Sequence, residues 1–171
     1  MQPIELRPDK SPGTSSAFGS HTSAQPSMHD DPMTKEAWSL AATFLSQDGL
    51  VVPALLLWKE NDDAVKLARL DHEGATGDVA ADALACAEGF DFDHAILIAR
   101  TVVGLVAPDD GPAMGKRQGV SLSYVSRRGD RYVQFSQIVD IDGVIQLAEP
   151  TLLPALGNAL DVIFRWQSST H

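Results

Sequence analysis

A chain of 171 residues with an apolar content of 44% is long enough to bury one core without covalent staples, so a single domain is expected. Its formal charge of −10 disfavours general binding to nucleic acid or anionic membranes, whose phosphates it would repel, and points to a neutral or basic protein partner. Cys86 is the only cysteine, no cationic start with an apolar run opens the chain, and the longest apolar run, Leu50 to Trp58, falls far short of the ~20 residues that cross a bilayer; a cytoplasmic location is expected.

Residues 1–32 are rich in Ser, Pro, Gly, Thr and His and show no apolar periodicity, which predicts a disordered polar leader ahead of a single domain over 33–171. From Thr34, a plausible N-cap, Ala37, Trp38, Ala41, Phe44 and Leu45 recur at helical spacing and predict a core-packing helix ended by Asp48-Gly49. Leu50 to Lys59 is apolar in both alternating sets, as in a strand covered on both faces, and Glu60 to Asp63 turns it into a second strand over 64–70. Gly77 or Asp78 then caps an Ala-rich helix that buries Val79, Ala83, Leu84 and Cys86.

The β-branched run from His94 to Val106 predicts a central strand. A Pro- and Gly-rich loop over 108–119 follows, then a half-exposed strand in which Val120, Leu122 and Tyr124 alternate with Ser121 and Ser123. Arg128-Gly129-Asp130 turns the chain into a strand bearing Val133, Phe135, Val139 and Ile141 on one face, and Asp142-Gly143 turns it again. Leu152, Leu153, Leu156, Leu160, Ile163 and Phe164 predict a closing helix over 151–166. The expected class is α+β in the order α-β-β-α-β-β-β-α, with a mixed or antiparallel sheet packed against helices.

Five of the 13 Lys and Arg residues, Lys116, Arg117, Arg127, Arg128 and Arg131, lie in one short stretch. With Tyr124 and Tyr132 they make a candidate recognition surface for a protein partner, since Arg beside Tyr offers charge and amphipathic contact area. Glu60 to Asp93 holds ten carboxylates and reads as the opposite pole, suited to head-to-tail or antiparallel pairing of two copies. A solvent-facing edge protected by charge is the plain alternative.

Other fragments carry less. Gly111 to Arg117 approximates a phosphate-binding loop, but its spacing is one residue short, Arg117 replaces the hydroxyl residue, and Pro112 removes an N–H. His72, Asp93 and His94 supply metal-ligand chemistry and underlie the enzymatic alternative, a metal-dependent hydrolase, though their spacing fits neither a helical zinc site nor a calcium loop. Cys86 lies on an Ala-rich helix with no neighbouring cation to activate it. No nucleophile elbow or dinucleotide fingerprint occurs, and no cofactor is expected. The size, acidity and mixed element order resemble those of bacterial secretion chaperones, and that resemblance implies a dimeric binder of partner segments. The leading expectation is a non-enzymatic domain that binds a protein, or a second copy of itself, through the basic hairpin or the adjoining loop.

Overall fold

The computed structural model describes residues 31–70, 79–104, 115–154, 160, 161, 163 and 164. Along them run α1 (Pro32–Asp48), β1 (Ala54–Trp58), β2 (Val65–Arg69), α2 (Val79–Ala87), β3 (His94–Gly104), β4 (Lys116–Ser126), β5 (Arg131–Ile141), β6 (Val144–Leu147) and β7 (Thr151–Leu153). The fold is α+β, and every strand pairing is antiparallel. Its order departs from the expected one at the C-terminal end, where β6 and β7 follow β5. Thr151 to Leu153 are strand, not the start of a helix, because they pair with Val133 to Phe135 of β5. The rest of the predicted closing helix lies mostly outside the described residues, as do residues 1–30 of the leader, the Gly77/Asp78 cap and residues 108–114 of the loop expected over 108–119; Lys116 to Gly119 of that loop are strand instead, because they pair with Thr101 to Gly104 of β3.

Asp31 caps α1 by accepting from the Met33 N–H at 3.0 Å, and Pro32 fills the first turn, where no N–H is needed. Gly49, at φ 69°, closes the helix by donating to Leu45. The expected cap, Thr34, is instead inside the helix and buried, with its hydroxyl bonded to that of Tyr132.

The sheet runs β2-β1-β3-β4-β5-β6, with β7 also on β5. Directly opposed residues share a face, so alternation sorts the core into two layers. Under α1, its Ala37, Ala41, Phe44 and Leu45 meet Leu56, Trp58, Ile96, Ile98, Leu122, Tyr124 and Tyr132. On the other face Leu55, Leu57, Ala95, Leu97 and Val125 meet Ala83 and Ala87 of α2, together with Phe92, Leu160 and Ile163. Val79, Leu84 and Cys86 are only partly buried there. Strand β1 is buried throughout, as its continuous apolar run requires. Strand β4 corrects the half-exposed expectation: Ser123 is buried too, and Ser121 bonds Thr101 across the strands at 2.7 Å.

β6 and β7 continue one another along β5. The register advances by one residue between Ile138↔Leu147 and Phe135↔Thr151, which makes Ala148-Glu149-Pro150 a bulge. Ser136 Oγ donates to the Ala148 carbonyl at 2.6 Å and Pro150 has no N–H for the ladder, so pairing is interrupted there. Among the described residues no helix is long and apolar enough to cross a membrane.

Candidate functional site

The β4–β5 hairpin is locked by its own turn. Gly129 adopts φ 96° and donates to the Ser126 carbonyl, while the Ser126 hydroxyl donates to Asp130 at 2.9 Å. Its arginines turn toward acids of the same chain. Arg127 donates to Asp91 at 2.9 Å and to the Phe92 carbonyl at 2.6 Å, and it also pairs with Asp93 at 3.2 Å. Arg128 reaches Glu60 at 2.6 Å, and Arg131 reaches Asp161 at 3.5 Å. Lys59 joins Asp91. Hydrogen bonds from Lys59 and Arg127 hold the Asp91 carboxyl below its ordinary value, and Asp91 in turn raises Lys59.

The cause is topological. Trp58 pairs with His94 and His94 with Ser126, so the end of β1, the start of β3 and the hairpin lie side by side. Glu60, Asp91 and Asp93 are therefore neighbours of the arginines, not an opposite pole. The basic stretch is itself divided: Lys116 and Arg117 begin β4, opposite Gly104 and Val103, and Arg127 follows its other end. Nine strand residues, Gln118 to Ser126, separate the two groups by roughly 30 Å.

Tyr124 and Tyr132 do not add surface to the hairpin, because both are buried under α1 and stack at 4.7 Å. Trp58 and His94 extend this row, with ring centroids 5.1 Å apart, and His94 Nδ1 lies 2.9 Å from the Tyr124 hydroxyl. Burial pushes both phenols up to about 12. Of the metal candidates, His94 faces Tyr124, Asp93 accepts from the Glu60 N–H and pairs with Arg127, and His72 lies outside the described residues. Among the described residues no three His, Cys, Asp or Glu side chains are placed to hold a metal ion.

Sequence reasoning missed the sheet's two edges, and they differ. β2 exposes Val65 and Leu67 but carries Lys66 and Arg69, charges that discourage pairing with another strand. β6 is Val-Ile-Gln-Leu, without a charge. Val144 is 62% exposed and Ile145 50%, and they point to opposite faces beside the exposed Ile141 and Leu152. Their outer backbone edge has no strand partner among the described residues. The Asp142-Gly143 turn before Val144 was the available signal, since such a dipeptide between apolar runs marks a hairpin.

Along the same edge an open groove of about 490 Å³ lies between α1 and the bulge, lined by Lys35, Trp38, Glu149, Pro150 and Leu152 among others. A smaller cleft of about 180 Å³ opens between the hairpin and Leu160, Asp161 and Phe164. Compared with known protein families, with curated proteins and with solved structures, the chain matches none.

Proposed function

We propose that this is a cytoplasmic protein-interaction domain that takes up an extended segment of a partner protein as an added strand on β6. One observation carries the reading: β6 is an uncharged edge strand with Val144 and Ile145 exposed on both faces. Such an edge offers main-chain hydrogen bonds for affinity and alternate side-chain contacts for selectivity. The reading agrees with the segment-binding role implied by the resemblance to secretion chaperones. Peptides selected on the purified protein from a random library provide the test. Val144→Lys with Ile145→Lys is expected to abolish their binding while the melting temperature stays put, because both side chains are exposed. Unchanged binding by that variant would remove β6 from the function.

The hairpin supports a second reading, because the Arg128 side chain is 73% exposed and held only at its tip by Glu60. There a partner carboxylate would compete with Glu60. Under this reading Arg128→Glu weakens the selected peptides and the Val144→Lys, Ile145→Lys variant leaves their binding untouched, whereas loss in both variants means one continuous surface.

A further inference from the structure

Resting on the reading of β6 as a strand acceptor, we infer that its occupant is an extended partner segment of alternating apolar residues flanked on both sides by Lys or Arg. The charge around the edge carries this. No Lys or Arg occurs from Tyr132 to Pro154, so the acids there have no cation close in sequence. Asp140 and Asp142 stand before β6 and Glu149 after it, and none of the three makes an ion pair among the described residues. The hairpin end is the opposite case, with Glu60, Asp91, Asp93 and Asp161 each set against an arginine.

A strand laid on β6 places alternate side chains against Ile145 on the α1 face and against Val144 and Ile141 on the other, with its two ends beside carboxylates that make no ion pair among the described residues. Past Leu147 the bulge ends the ladder, and the same segment meets the groove between Trp38 and Leu152, which takes an apolar side chain. In that lining Lys35, on α1, is the one cation and Glu149 the one anion. A second copy of the chain brings the same acids to this edge. In a symmetric antiparallel pair centred between Ile145 and Gln146, Asp142 of each copy falls opposite Glu149 of the other, and like charges facing across strands are destabilising.

Two fluorescent peptides test the assignment on the full chain: alternating Val and Thr with two Lys at each end, and the same core with two Glu at each end. At low ionic strength the Lys-ended peptide is expected to bind about tenfold more tightly, the combined effect of a few exposed ion pairs. The preference narrows as salt approaches roughly 0.5 M and the screening length falls to about 4 Å. Amide exchange in Val144–Leu147 slows on binding. A triple variant, Asp140→Asn, Asp142→Asn and Glu149→Lys, is expected to lose the preference. Asn at 140 keeps an oxygen for the Gly143 N–H that Asp140 accepts at 2.8 Å, and Asn at 142 tolerates the φ of 55° found there. Equal binding of both peptides with protection of β6 would overturn the charge assignment and leave strand addition standing. Neither peptide binding, with no protection, would overturn strand addition itself and this inference with it. Peptide-free self-association that protects β6, seen by light scattering, would make a second copy the occupant and overturn the inference.

Discussion

Gly119 on β4 shows how a side chain can be excluded by the backbone of the next strand. A Cβ built there would lie 2.3 Å from the Ser136 carbonyl oxygen and 2.4 Å from the Phe135 ring. The ring can turn aside, but the carbonyl belongs to the next strand. Gly119→Ala is therefore expected to cost about 3 kcal/mol, the upper end of ordinary overpacking, measured by chemical denaturation. A loss under about 0.5 kcal/mol, the level of a neutral surface change, would mean that the strands separate there at little cost. The two tyrosines give a cleaner readout, because the chain contains no others. Tyr124 and Tyr132 are pushed up to about 12 by burial, so the folded state keeps protons that the unfolded chain releases from about pH 10. Their contribution is fully present below pH 10 and is lost as pH rises to 12, on the order of 2 kcal/mol per ring. Absorbance at 295 nm is expected to show both phenols ionising near pH 12, together with unfolding. A reversible transition near the ordinary phenol value of 10.0 in folded protein would place both rings at the surface.

At the scale of elements, what local pattern determines was legible and what long-range pairing determines was not. The stripe Ala37, Ala41, Phe44 and Leu45 defines α1, and the apolar run of β1 followed by Asn61-Asp62-Asp63 defines the first hairpin. Leu152 and Leu153 fit a helical period with Leu156 and Leu160 equally well, and only pairing with β5 makes them strand. Neither the concealment of Tyr124 and Tyr132 nor the seating of Arg127 among Asp91, Phe92 and Asp93 could be read locally, since the partners are more than 30 residues away. That seating separates two adjacent arginines. Among the described residues Arg127 meets Asp91, Phe92 and Asp93, and Arg128 meets Glu60. With side chains 47% and 73% exposed, both are discounted for solvent, yet Arg127→Ala also leaves the Phe92 carbonyl without its 2.6 Å donor. Arg127→Ala is expected to cost about 1 kcal/mol and Arg128→Ala less than about 0.5 kcal/mol, compared by denaturation midpoints. Equal costs would show that the Phe92 contact contributes nothing.

Over the whole molecule, charge is distributed unevenly in a way its total conceals. The hairpin end neutralises itself, whereas the edge formed by β6 and its flanks holds Asp140, Asp142 and Glu149 with no cation nearby in sequence, on a chain of net charge −10. Added salt acts on the two ends in opposite directions: it screens attraction at the hairpin and repulsion along the acidic edge. Magnitudes decide between them. The paired side chains are mostly more than 40% exposed, so each pair is weak, and screening removes only part of its attraction. Repulsion among excess carboxylates is relieved over the whole surface, so the melting temperature is expected to rise by a few degrees between low salt and roughly 0.5 M, where the screening length is about 4 Å. Salt also strengthens apolar burial slightly, and the Asp142→Asn, Glu149→Lys variant separates the two causes. Its rise is expected to be smaller than that of the wild type, because repulsion at the edge has already been reduced. An identical rise would assign the effect to apolar burial, and a fall in the wild type would mean that the hairpin ion pairs outweigh the repulsion and make that end of the sheet the electrostatic anchor of the fold.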